Sequence, residues 1–175
     1  MKINILDLKE GKTEYFEKYN ENTLDLKGLE FSLIGQLNAH IVIEKWRGKV
    51  KVSLEADFTL KMQCSRCLEH FERSFREEAT FYLKAGKEEV KAEKSLKDED
   101  IYTLFYATDE IDVTPLIRDM VILVYPMKPL CKPDCKGLCP VCGVNQNKMK
   151  CHHEQVTIDP RWSKLLEIKK KISKA

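Results

Sequence analysis

No run of about eighteen apolar residues occurs in this 175-residue sequence, so hydropathy defines no membrane-spanning helix. The first residues, Met1-Lys-Ile-Asn-Ile-Leu-Asp-Leu8, turn polar too early for the apolar region of a signal peptide. These absences predict a cytoplasmic protein without a membrane partner. H-E-x-x-H and a glycine-rich phosphate loop are also missing, and no Ser-His-Asp set can be assembled. The expectation is therefore a protein without catalysis and without an evident small-molecule substrate. An all-disulfide scheme fails on arithmetic, because seven cysteines leave one thiol over. In a reducing compartment, paired cysteines serve more often as metal ligands or redox groups.

What is present is mostly β pattern. With 43% hydrophobic residues the chain can bury one substantial core. Residues 3–8 alternate like a short strand, and residues 13–26 read as irregular cover whose Tyr15, Phe16 and Tyr19 belong to the core. From residue 29 to residue 83 a period of two dominates: Phe31 to Ile43, then Val50 to Met62, then Phe71 to Leu83. Strands this long are expected to curl. Residues 86–100 are charge-dense and aperiodic, which predicts an exposed connection. Residues 101–105 fit another strand. A helix should follow, capped by Thr114 or Asp112, with Pro115 in its first turn, an apolar stripe of Leu116, Ile117, Met120, Val121 and Val124, and an end at Tyr125-Pro126. A second helix should start at Asp159-Pro160, with Trp162, Leu165, Leu166, Ile168 and Ile172 on its apolar side. The expected class is α+β: an antiparallel, strongly bent or barrel-like β-meander with a packed helix, then a zinc-knuckle segment and a helix. Residues 1–127 would form the β-rich core domain, and residues 128–175 the cysteine-rich segment with its basic helix.

The cysteines carry the chemistry. Cys139-Pro-Val-Cys142-Gly143 has the spacing of a zinc knuckle, in which two thiolates bind one tetrahedral ion and glycine permits the turn. Cys151 with His153, or with the competing His152, completes a set of three cysteines and one histidine. Four cysteines then remain, Cys64, Cys67, Cys131 and Cys135, which make one further tetrahedral shell. The competing partition places Cys64, Cys67, Cys139 and Cys142 around a single zinc. A dithiol redox pair and an iron-sulfur site are the other chemistries open to C-x-x-C, although neither pair has the βαβ setting of a thioredoxin motif. His40 and His70 read as ordinary strand residues.

Charge is divided unevenly along the chain. Residues 128–175 carry eleven Lys and Arg against four acids, whereas residues 1–127 carry 19 basic and 24 acidic residues. A basic segment of this kind suits an acidic partner such as RNA, since phosphates reward clustered cations by counterion release. The candidate contacts are Lys148, Lys150, Arg161, Lys164, Lys169, Lys170 and Lys171.

Several stretches taken together resemble the bacterial YceD family of large ribosomal RNA subunit accumulation proteins. They are Gln63-Cys-Ser-Arg-Cys-Leu68, Glu110-Ile-Asp-Val-Thr-Pro-Leu-Ile-Arg118, Tyr125-Pro-Met-Lys-Pro-Leu-Cys131, Asp134-Cys-Lys-Gly-Leu-Cys-Pro-Val-Cys-Gly143 and Asp159-Pro-Arg-Trp162. The resemblance implies a role in accumulation or processing of 23S (large-subunit) ribosomal RNA, with that RNA, its precursor or a ribosomal protein as partner, and no enzymatic activity. Family members with this tail often read C-x-C where this chain has Cys151-His152-His153. That likeness favours His153 as the zinc ligand.

Overall fold

The computed structural model describes residues 1–47, 49–86, 102–106, 108 and 110–153. Residues 87–100 of the charged stretch and the expected helix from Asp159 lie outside these residues. In chain order the elements are β1 (Lys2–Asn4), β2 (Gly11–Tyr19), β3 (Phe31–Trp46), β4 (Lys49–Gln63), β5 (His70–Ala85), β6 (Thr103–Tyr106), β7 (Glu110–Asp112) and α1 (Thr114–Val124). Among the described residues the protein is thus mostly β-sheet with one short helix.

The long strands follow from their alternation. Ile41, Ile43, Val50, Val52, Leu54, Ala56, Phe58, Leu60 and Met62 all fall on the buried face, while residues between them face outward. β3, β4 and β5 pair antiparallel over nearly their whole lengths. One bulge in β3, between Ile34 and Asn38, contains Gly35 at φ 71, a conformation that costs glycine little.

Three expectations change here. The five-stranded sheet, ordered β2-β3-β4-β5-β6, is open, which sets aside the barrel-like form of the expected bent or barrel-like meander. Its last strand, β6, runs parallel to β5, so the meander is not antiparallel throughout. Residues 13–19, part of the stretch read as irregular cover, belong to the edge strand β2. There Tyr19 is buried and Phe16 is 76% exposed, stacked on His40 at 4.4 Å between ring centroids. The exposed apolar Phe16 and the exposed polar Glu17, which falls between Tyr15 and Tyr19 in the alternation, hide the strand's period. Strand β1 also ends early: the Asn4 side chain accepts a hydrogen bond from the Leu6 amide (2.9 Å), an asparagine turn that breaks the extended run.

Helix α1 buries Ile117, Met120 and Val121 on the sheet, the 3.6-residue stripe expected of an amphipathic helix. Its cap residue is Val113, not Thr114 or Asp112, and makes no side-chain cap bond. Asp112 instead accepts the Thr114 amide hydrogen bond (3.0 Å), placing a carboxylate at the helix start where the dipole favours it. Tyr125, extended at ψ 119, ends the helix before Pro126. Between α1 and β5 runs a groove of ≈ 820 Å³, lined by Phe81, Leu104, Leu116, Met120 and Leu123 among others. The chain then turns back to the Cys64–Cys67 end of the β4–β5 hairpin, where the Ser65 amide donates to the Pro129 carbonyl (2.8 Å).

Candidate metal centres

The β4–β5 connection is six residues, Cys64-Ser-Arg-Cys67-Leu-Glu69, and it folds as a tight loop. The Cys64 amide donates to the Glu69 carbonyl (2.9 Å), the Leu68 amide donates to the Cys64 carbonyl (2.9 Å), and Leu68 takes the left-handed conformation at φ 59. The segment Cys139-Pro-Val-Cys142-Gly-Val144 repeats the pattern. Its Cys139 amide donates to Val144 (2.8 Å), its Gly143 amide donates to Cys139 (2.9 Å), and Gly143 sits at φ 70. Two C-x-x-C loops far apart in sequence therefore share one backbone geometry, with both thiols of each on the same side.

The tail completes two shells. Cys64, Cys67, Cys131 and Cys135 form one group of four and Cys139, Cys142, Cys151 and His153 another, with the ligand atoms of each group all within 4.8 Å of one another. This arrangement differs from the partition that unites Cys64, Cys67, Cys139 and Cys142. His152 is exposed and belongs to neither group. All seven cysteines are free thiols.

The dimensions fit a tetrahedral ion. Bonds of about 2.3 Å from zinc to sulfur imply sulfur–sulfur edges of about 3.8 Å. The edges between Cys64 and Cys135 and between Cys67 and Cys131 are 3.8 Å and 3.7 Å. In the second group, Cys139 Sγ lies 4.0 Å from His153 Nδ1. The environments differ. Cys64, Cys67 and Cys135 are buried beside Phe71 and Leu130, whereas Cys142 and His153 are exposed.

Electrostatics prepare these sulfurs for a cation. Burial opposes ionisation of Cys64, yet backbone amides of Cys131, Cys67 and Arg66 bring it down to about 6. The Cys142 and Val141 amides do the same for Cys139, also to about 6. Burial opposes ionisation of Cys135 as well, but the Gly137 amide and the Asn147 side chain hold it below the usual thiol range. Burial and the neighbouring Cys135, Cys67 and Cys64 sulfurs push Cys131 up to about 12. Cys67 is raised by burial, and Cys151 by the adjacent Cys139. Each group thus mixes thiolates with thiols, and a bound dication would displace the remaining protons.

The two groups are close and bound to each other. Gly137 lies between them at φ +75, and a Cβ there would stand 3.1 Å from the Arg66 carbonyl oxygen. Arg66 donates to the Cys135 carbonyl (2.9 Å), and Arg73 to the Leu130 carbonyl (2.9 Å). Asn147, inside the second group's loop, donates from its side chain to Cys135 Sγ (3.3 Å) and accepts the Lys136 amide (2.9 Å). Ligand counting alone passes over Asn145, Asn147 and Glu69. The signal available is Asn-x-Asn between two ligands, since an amide side chain offers both a donor and an acceptor.

Of the candidate RNA contacts, Lys150 is exposed, and Lys148 is tied to Glu69 (2.7 Å). Arg161, Lys164, Lys169, Lys170 and Lys171 lie outside the described residues. Lys128, Lys132 and Lys136 are further exposed cations on the same segment. Among the described residues no helix is long and apolar enough to cross a membrane.

Comparison with known proteins places the chain. The family model described as large ribosomal RNA subunit accumulation protein YceD matches residues 52–169. A Mycobacterium tuberculosis protein of uncharacterised function is 41% identical over 108 residues, which is 61% of this chain and 49% of that protein. The chain therefore spans about half the length of its mycobacterial relatives. The chloroplastic large ribosomal RNA subunit accumulation protein YCED homolog 1 of Zea mays is 49% identical over 41 residues, 23% of this chain and 14% of that protein. Its Arabidopsis thaliana counterpart is 48% identical over 42 residues, 24% of this chain and 13% of that protein. No solved structure matches the chain significantly. The family match begins in β4, takes in both C-x-x-C loops and covers well over half of the sequence, and this chain belongs to the YceD family.

Proposed function

We propose that this protein is a non-enzymatic ribosome-biogenesis factor that supports accumulation or processing of large-subunit ribosomal RNA by binding that RNA or its precursor. Zinc in the two groups is the cofactor of this reading. A shell of four cysteines and a shell of three cysteines and one histidine both fill all four positions with protein ligands, the mark of a structural ion rather than a catalytic one. The ions would fasten a basic segment to the end of the sheet. The observation that carries the reading is this segment, in which Lys128, Lys132, Lys136 and Lys150 are exposed around eight ligand residues. The names of the plant relatives agree with it.

The test is a filter-binding titration against large-subunit ribosomal RNA over a range of salt. Replacing Lys132, Lys136 and Lys150 by Glu together should weaken binding and flatten the plot of log K against log salt by about 0.7 to 0.9 for each phosphate no longer neutralised. Unchanged affinity and slope would remove this segment from the RNA surface and turn attention to a ribosomal protein as the partner. A second reading, a thiol redox or metal-handling protein, is favoured by the low Cys139 value of about 6 beside exposed Cys142. Redox-inert thiols in the metal-loaded protein would exclude it.

A further inference from the structure

The two metal groups are not independent neighbours. Asn147 lies between Cys142 and Cys151, two ligands of the second group, so its loop and that group share one stretch of chain. Its side-chain N–H nevertheless reaches Cys135, a member of the first group (3.3 Å). The amide is held in that orientation: its Oδ1 accepts the Lys136 amide (2.9 Å), and Asn145 Oδ1 accepts both the Asn147 amide (3.0 Å) and its Nδ2 (2.9 Å). A second path runs through Glu69, which accepts from Lys148 (2.7 Å) and from Asn145 (3.4 Å) and whose carbonyl receives the Cys64 amide (2.9 Å).

From this arrangement we infer that Asn147 is a positioning residue that couples the two sites, so that a metal ion in the second site raises the affinity of the first. The inference rests on the metal reading above. An N–H donated to a metal-bound thiolate offsets its charge and fixes its direction, and partners of this kind are worth about 10 to 100-fold in metal affinity. With the second site empty, residues 143–150 must be ordered before Asn147 can reach Cys135; with the ion bound between Cys142 and Cys151, that ordering has already happened. By linkage the first ion must favour the second by the same factor.

Cobalt titration of the metal-free full chain under reducing conditions tests this, because all-sulfur and sulfur-nitrogen tetrahedral sites give separable visible bands. Asn147→Asp is the informative variant: it is isosteric and retains an acceptor for the Lys136 amide, but places a carboxylate oxygen where the N–H met sulfur. With the sulfur-nitrogen site filled it should weaken the all-sulfur site about tenfold or more, while leaving the sulfur-nitrogen site within about twofold in a chain whose first site is disabled by Cys64→Ser and Cys67→Ser. Removing the second site with Cys142→Ser and Cys151→Ser should weaken the first by a similar factor, and adding Asn147→Asp to that background should change little more. Unaltered first-site affinity in Asn147→Asp, an equal loss at the sulfur-nitrogen site when the first site is disabled, or factors that multiply in the combined variant would each overturn the coupling. If the unaltered chain gives no tetrahedral cobalt bands, the metal reading itself fails and the coupling with it. Two normal sites without coupling would leave the metal reading standing.

Discussion

Removing metal from the intact chain should release residues 131–153 from the sheet while leaving the sheet folded. Among the described residues, the direct ties between this segment, with its approach at Pro129 and Leu130, and the sheet are few. Apart from contacts among the ligand cysteines themselves, where the Cys131 amide reaches Cys64, they are the Ser65 amide to Pro129, Arg66 to Cys135, Arg73 to Leu130, and Lys148 and Asn145 to Glu69. A hydrogen bond contributes about 1 kcal/mol net, and an exposed ion pair less. Ordering one residue of backbone costs about 1–2 kcal/mol, so these ties offset the ordering of only a few of the more than twenty residues in the segment. A structural zinc in a peptide contributes about 10–16 kcal/mol, which makes metal binding the largest contribution to holding the segment. The sheet has its own core, with Leu37, Ile41, Leu60, Ile117 and Val121 fully buried. Hydrogen exchange of the full chain with and without a chelator is the assay. Amides of Cys139, Gly143 and Gln146, bonded within the segment, should lose protection on chelation, while amides of β3 and β4 keep theirs. Persistent protection at Cys139 and Gln146 after metal is stripped would refute the reasoning. So would simultaneous loss from β3 and β4, which would show that the ions hold the whole fold.

Three further outcomes follow from local geometry. Gly137→Ala combines a left-handed backbone with a contact of 3.1 Å to the backbone oxygen of Arg66, so it should cost about 1–3 kcal/mol, read as a lower urea midpoint and faster metal loss. Leu68→Gly should be neutral or stabilising by about 0.5–1 kcal/mol, because exposed Leu68 occupies φ 59 where the matching loop has Gly143; Gly143→Ala should destabilise, and both are read by thermal melting of the loaded protein. Acid should strip the metal. Cys64 lies near 6 in the fold against an ordinary thiol value of 9.0, so its stabilising contribution as a thiolate is fully present above about pH 9, falls as pH drops, and is lost through about pH 6. Protons therefore displace the ion more strongly below about pH 6, a trend that a chromogenic metal indicator would follow.

The three central strands are legible because one face is apolar at every second position from Val50 to Met62. β2 is not, because an edge strand with an exposed apolar Phe16 and an exposed polar Glu17 between Tyr15 and Tyr19 carries no clean period. The parallel β6 is not legible either: its four residues pair through backbone groups, and local sequence does not encode direction. In the metal groups, ligand type and count lead to two sets of four, while the choice of sets depends on where the tail returns. The interlock is hidden for the same reason, since Asn147 meets Cys135 only once both loops are folded.

The two groups should also lose their ions in a fixed order. Their loops share backbone hydrogen bonds, so local geometry does not distinguish them. Surroundings do. In the first group Cys64 and Cys135 are 0% and 2% exposed, whereas in the second Cys142 and His153 face solvent. A competing chelator or proton reaches the second shell directly but must open the segment to reach the first. Release from the loaded protein should therefore be biphasic, with the sulfur-nitrogen site emptying first. If Asn147 couples the sites, the all-sulfur site releases its ion faster once the sulfur-nitrogen site is empty, and Asn147→Asp should remove that acceleration. A single phase for both ions, or prior loss of the all-sulfur site, would show that exposure does not set the order of release.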